Sequence, residues 1–263
     1  MNGPSTFSRP TIQQPLRLLL ICSDDPQHSY LRHVFARSFP HLRCIVEPNE
    51  GQIRYLRRKG DQGQLRWMKY HSIRRKWTGD SRSRKEYFDA LLPADLQLPA
   101  PDLVVDTVNS KAAWDAVEEW QPEVTIVAGT KFIGPTLIGK SGLIINLHTG
   151  FLPDYKGNHG IFFALYEGRK DRIAATIHRV NGELDGGDVL EVVVPEVNGE
   201  RREEALYARC AHAVIDRCLE LVRGYEAGEP WQFHAQRDSQ QPVFRHRDRT
   251  PWKELRLWWR KWF

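Results

Sequence analysis

Apolar and polar positions alternate between two textures along this chain. Residues 16–23 (LRLLLICS) are a short apolar run that ends in small and polar residues, which suits a strand buried on both faces. Leu31, Val34, Phe35 and Phe39 then recur at helical spacing, so residues 30–39 are predicted as a helix. A second apolar run, LRCIVEP (42–48), predicts another strand, and EGQIRYLRRKG (50–60) a helix that Gly60 closes. The texture changes at residues 61–100, which are rich in Arg, Lys and aromatic residues and then in proline, and read as an insertion or lid. Regularity resumes at DLVVDTV and at the helix NSKAAWDAVEEWQ, where Asn109 or Ser110 can cap the start. EVTIVAG (123–129) is the strongest central-strand signal, followed by GLIIN (142–146), AATIHRV (174–180), VLEVVVPEV (189–197) and a long helix from about Arg201 to Gly224. This order predicts an α/β fold, an open and mostly parallel Rossmann-like sheet flanked by helices, with a basic aromatic insertion and a C-terminal extension.

Composition narrows this picture. The 263 residues, 41% of them hydrophobic, suffice for one sizeable domain, and the net charge of +5 suggests contact with anionic molecules. Cys22, Cys44, Cys210 and Cys218 lack metal-type spacing and are expected as reduced thiols. The run Leu16 to Ile21 is too short for a signal-peptide core and no segment reaches membrane-spanning length, so a cytoplasmic protein is expected, with residues 1–15 as a flexible leader.

Two polar islands follow apolar strands. INLHTGFLPDYKGNHG (145–160) packs two histidines, two asparagines, three glycines and a proline directly behind Leu143-Ile144-Ile145. HRVNGELDGGDVL (178–190) joins two strand-like runs, and its glycines permit a loop tight enough to press Asp185 against a neighbour. Ligands of open α/β sheets gather at the carboxyl ends of strands, where Gly129 and Asn146 fall. His148, two residues beyond Asn146, points to the same side of an extended chain. Singly, each residue also has a plain structural reading as a turn or hydrogen-bonding group.

Together, Asn146, His148, Leu152-Pro153, Gly157, Leu184-Asp185 and Gly187 resemble, in order and spacing, the core of the folate-dependent formyltransferases. The resemblance runs from about Leu16 to Tyr225 and implies a catalytic domain over residues 16–228, with 229–263 as an extension. It implies formyl transfer from N10-formyltetrahydrofolate to an amine, with His148 as acid and base, Asn146 as donor to the developing oxyanion and Asp185 as the orienting carboxylate. It also implies a pterin site at Lys131, Phe132, Ile133, Asn181, Gly182 and Glu183, with strand-end packing as the alternative, and no metal.

The acceptor is read from departures. The chain has CSDDPQHSY where glycinamide ribonucleotide enzymes carry a glycine-rich phosphate loop, and too few residues follow the long helix for the β-barrel of methionyl-tRNA enzymes. Amines on nucleotide-linked sugars remain, with Arg66, Trp67, Lys69, Tyr70, Arg74, Arg75 and Trp77 as candidate substrate contacts and a solvated helix face as the plainer reading of the same stretch. Glycinamide ribonucleotide or another small amine, a formyltetrahydrofolate hydrolase, and outside enzymes a nucleic-acid-binding module stay open as alternatives, although no nucleic-acid reader motif is present. The tail RTPWKELRLWWRKWF places Trp252, Leu255, Trp259 and Trp262 on one helical face, with Lys253, Arg256, Arg260 and Lys261 peripheral, which suits a membrane surface, a second subunit in a homodimer, or the domain itself.

Overall fold

A computed structural model describes residues 4–9, 14–237 and 242–262; the side chains of Arg260, Lys261 and Trp262 lie outside the described part, as do residues 1–3 and 10–13 of the expected leader. In chain order the elements are β1 (Ser5–Phe7), β2 (Leu18–Cys22), α1 (Pro26–Ser38), β3 (Arg43–Val46), α2 (Asn49–Lys59), α3 (Gln62–Trp77), α4 (Asp80–Asp89), β4 (Leu103–Val104) and α5 (Lys111–Trp120). They continue with β5 (Val124–Ala128), α6 (Pro135–Lys140), β6 (Leu143–His148), α7 (Gly160–Glu167), β7 (Ala175–Arg179), β8 (Val189–Val193), α8 (Glu203–Glu226), β9 (Trp231–Phe233) and α9 (Pro251–Trp262).

Seven strands form one sheet in the order β4-β3-β2-β5-β6-β7-β8, parallel as far as β6 and antiparallel at β7 and β8. Every residue of β2 and β5 is buried, as expected where helices cover both faces. One layer packs Ile145, Leu147 and Ile177 against α1, α7 and α8; the other packs Ile21, Val127 and Ile144 against α5 and α6. Gly60 ends α2 in a left-handed conformation, and Ser110 caps α5 by accepting from the Ala113 amide.

Residues 5–9, expected in a flexible leader, are instead held: β1 pairs antiparallel with β9, and the buried Arg9 guanidinium bonds Glu123. The sequence shows only short polar stretches there, and the partner strand lies more than two hundred residues away. The 61–100 segment contains two helices, and α4 is anchored by Phe88, fully buried against Ala208 and Ala211 of α8. DLVVDTV yields only the two-residue edge strand β4. Among the described residues, no helix is long and apolar enough to cross a membrane. All four cysteines are free and buried.

Candidate active site

The site begins at β6. Ile145 and Leu147 enter one core layer while Asn146 and His148 take the opposite side, the alternation that a strand imposes. Antiparallel β7 sets His178 beside Asn146 and Thr176 beside His148, so those side chains share a face. The loop after β7 then doubles back. Arg179 N–H donates to the Asp188 carbonyl, and Gly187 lies so close to the Arg179 carbonyl that any Cβ there would overlap it. Asp185, itself at positive φ, is thereby returned to the centre of the face.

Its carboxylate is the hub of the constellation. Oδ1 lies 3.5 Å from Asn146 Nδ2 and 3.4 Å from His178 Nε2. Oδ2 lies 3.5 Å from His148 Nδ1 and accepts the Gly157 amide at 2.7 Å. The other nitrogen of His148 donates to the Tyr155 carbonyl at 2.8 Å, which fixes the ring. His178 donates from Nδ1 to the Arg179 carbonyl at 3.0 Å, leaving Nε2 to accept from Asn146 Nδ2 at 3.0 Å. Burial opposes the Asp185 charge, but His148, His178 and the Gly157 amide more than offset it and hold the carboxyl well below its usual range. Asp185 is therefore an anion in a desolvated setting, bonded by the Gly157 N–H and flanked by Asn146 and the two imidazoles.

The loop from 149 to 159 is clamped at several points. Thr176 Oγ accepts the Leu152 amide and donates to the Gly150 carbonyl at 2.7 Å. A Cβ at Gly150 would fall 2.5 Å from His148 Nε2 and 2.9 Å from the Tyr155 carbonyl, so the small residue is what lets the ring reach that carbonyl. At Gly157, φ is +88° and the backbone lies against Phe244, whose N–H donates to Lys156 and whose carbonyl accepts from Asn158. A segment beyond the long helix thus completes the loop.

These residues place a strand-end Asn-x-His and an Asp loop together, and a family model described as formyl transferase matches residues 76–219. The chain belongs to the formyl transferase family. It is 29% identical over 129 residues to methionyl-tRNA formyltransferase of Chlorobium phaeovibrioides, a match covering 49% of this chain and 40% of that one. It is 29% identical over 110 residues to phosphoribosylglycinamide formyltransferase of Escherichia coli, covering 39% of this chain and 51% of the other. The chain thus spans about half or less of the length of these curated relatives. Its fold matches that of a Mycobacterium tuberculosis protein proposed to be a sugar N-formyltransferase, with a TM-score of 0.55, 15% identity, and coverage of 88% of this chain and 76% of that chain.

Around this family core the remaining expected residues separate into two groups. Lys131, Phe132 and Ile133 follow β5, the strand beside β6, and Asn181, Gly182 and Glu183 lie in the Asp185 loop on its other side. Ile133 is a buried core residue, Phe132 is half exposed with its carbonyl accepting from Asn109, and the Lys131 amide donates to Glu47. A Cβ on Gly182 would lie 3.9 Å from Ile138 of α6, so the two segments approach one another. By contrast, among the described residues no hydrogen bond or ion pair links Arg66, Trp67, Lys69, Tyr70, Arg74, Arg75 or Trp77 to Asn146, His148 or Asp185. Arg74 is engaged by Asp80 and Glu254, Trp67 and Tyr70 pack around His71, and Trp77 is 90% exposed. A sixteen-residue helix points its side chains all round, so these seven do not share one face, and Arg75 of the seven bears on Asp25 at the end of β2.

Two residues at the site were not singled out in the sequence. His178 sits in the middle of an apolar run, and only the β6–β7 register brings it to Asn146. Glu47, at the end of β3, is fully buried; Oε2 accepts the Lys131 amide at 3.0 Å and Oε1 has no hydrogen-bond partner. Burial pushes its carboxyl up to about 7. Two cavities, of about 200 Å³ beside Phe39 and Asp102 and about 250 Å³ beside Tyr87 and Arg202, are not lined by Asn146, His148 or Asp185.

Proposed function

We propose that this protein transfers a formyl group from N10-formyltetrahydrofolate to an amine carried on a nucleotide-linked sugar. The observation that carries the transfer reading is the Asp185 carboxylate between Asn146 and His148, within 3.5 Å of each, in a chain of the formyl transferase family. The donor fits what surrounds it. Lys131, Phe132 and Ile133 on one side of Asn146 and Asn181, Gly182 and Glu183 on the other are strand-end segments rich in backbone groups, as a flat heterocycle needs.

When bound, N10-formyltetrahydrofolate supplies an activated formyl carbon. Asn146 Nδ2 meets the negative charge that grows on the formyl oxygen as the amine attacks; the N–H facing Asp185 across 3.5 Å is weakly engaged and free to turn to it. His148 takes the proton that the amine loses and returns one to the departing folate nitrogen. Asp185 holds the charge opposite His148 and, through the Gly157 amide, fixes the loop. At the β2 end Asp24 accepts from Asn49 and Asp25 from Ser23, and Arg84 and Arg75 lie close enough to act on the Asp25 carboxylate, so this end is a mixed-charge rim in place of a glycine-rich phosphate loop. Arg66 and Lys69 are exposed cations within reach of solvent-borne pyrophosphate.

The deciding experiment supplies formyltetrahydrofolate with a panel of nucleotide amino sugars, glycinamide ribonucleotide and free amines, and weighs the product. A mass gain of one formyl group on a nucleotide amino sugar is the expected result. Formate release without any acceptor identifies a hydrolase instead, and exclusive formylation of glycinamide ribonucleotide refutes the assigned acceptor.

A further inference from the structure

Three histidines outside the formyl-transfer constellation meet at one point. His71 comes from α3, His159 from the loop that carries Gly157, and His246 from the segment between β9 and α9; one nitrogen from each lies within 4.8 Å of the others. His71 is 1% exposed; Nε2–H donates to the His246 carbonyl at 2.8 Å, so its lone pair is on Nδ1, which has no hydrogen-bond partner. His159 Nε2 and His246 Nδ1 face each other at 3.0 Å. An unpartnered buried imidazole nitrogen forfeits a hydrogen bond and its desolvation is uncompensated, so the arrangement calls for a further group.

We propose that His71 Nδ1, His159 Nε2 and His246 Nδ1 bind a zinc-class divalent ion that clips α3 and the C-terminal segment onto the 149–159 loop. Tetrahedral zinc holds imidazole nitrogens at about 2.0–2.1 Å, which separates co-ligands by roughly 3.4 Å. The facing pair at 3.0 Å would open slightly, and the remaining separations, at most 4.8 Å, would close by a rotation of one ring. The bond from His71 Nε2–H to a backbone carbonyl is the kind of outer contact that orients a histidine ligand and fixes its tautomer. His159 and His246 are partly exposed, whereas His71 is buried.

The charges nearby bear on the choice of ion. Arg249 Nη1 is 3.4 Å from His159 Nδ1, a long contact that metal binding to Nε2 would release. That guanidinium is already held by Glu203 and Glu254, while Arg74 is held by Asp80 and Glu254. Arg75 and Lys131 also bear on the rings, so the charges that face them are cationic, with Arg249 and Arg74 neutralised by Glu203, Glu254 and Asp80; a bound ion is held by the three nitrogen lone pairs and not by surrounding negative charge. Histidine nitrogens without oxygen ligands select zinc or cobalt over magnesium or calcium.

The test uses the full chain, purified and stripped with a chelator. Titration with Co2+ is expected to give the visible absorption bands of a four-coordinate ion, saturating at one equivalent and displaced by Zn2+, and zinc is expected to raise the melting temperature up to the same equivalence point. His71→Ala and His246→Ala should each lose both signals, while His212→Ala, a change in α8 away from the cluster, should keep them. Wild-type protein that melts cooperatively yet binds no stoichiometric Co2+ or Zn2+ overturns the proposal, and the three rings are then a packed, hydrogen-bonded junction. Full binding retained by folded His71→Ala and His246→Ala also overturns it. Because the wild-type titration decides by itself, a variant that fails to fold does not block the test.

Discussion

Gly157→Ala isolates the coupling between the C-terminal segment and the candidate active site. The perturbation has two parts. The residue sits at φ +88°, where an alanine is strained by about 1 kcal/mol, and its new Cβ would overlap the Phe244 carbonyl oxygen. That oxygen is part of the backbone and cannot rotate away, so the two segments must separate. Three hydrogen bonds are then at risk: Asn158 N–H to Phe244 at 2.7 Å, Phe244 N–H to Lys156 at 2.9 Å, and Gly157 N–H to Asp185 at 2.7 Å. Neutral bonds contribute about 1 kcal/mol each and a bond to a carboxylate about 1.5–3 kcal/mol, so loss of two or three brings the total to roughly 3–6 kcal/mol. Gly168→Ala is the matched control: φ is +77° but nothing lies within 4 Å of its Cβ, so only the backbone strain of about 1 kcal/mol applies. Urea unfolding of both variants measures the difference, and formyl turnover of Gly157→Ala should fall with it because Asp185 loses an anchor. Equal unfolding midpoints for the two variants would refute the coupling.

Other perturbations separate chemistry from folding. Asn146→Ala should lower kcat by about a hundredfold or more, the usual cost of removing a preorganised oxyanion donor, with KM for the folate nearly unchanged; an undiminished kcat removes Asn146 from its assigned role. Glu47 links stability to pH. Its carboxyl is raised from 4.5 to about 7 in the folded chain, so its favourable contribution is complete below about 4.5 and is lost as pH rises through about 7, by up to roughly 3 kcal/mol. Glu47→Gln should flatten the unfolding free energy across that window, and an unchanged slope would show that Glu47 does not set it. Leu257 of α9 is buried in the main core, so Leu257→Ala should cost about 2–5 kcal/mol by thermal or denaturant unfolding, whereas Trp252→Ala, at a position 72% exposed, should cost far less; comparable losses would contradict the docking of α9 through Leu257.

The chain's own pattern was enough for the main α/β architecture, because short apolar runs and helical spacing report local burial directly: LLLIC and VTIVA are strands buried at every position, and Ser110 and Gly60 mark the ends of helices. Asn146, His148 and Asp185 were likewise legible, since their order and spacing with Leu152-Pro153 and Gly157 form a motif. Local signals do not encode partners that are distant in the chain. The pairing of residues 5–7 with 231–233, the meeting of His178 with Asn146, the burial of Glu47 and the convergence of His71, His159 and His246 each depend on contacts that exist only once the sheet is assembled. The same holds for α3, where helical spacing disperses Arg66 to Trp77 around an axis and tertiary packing selects which of them face the protein. Local elements follow from the order of residues, because burial periodicity and end signals are properties of neighbours; which side chains meet follows from folding, because register and docking are properties of the whole.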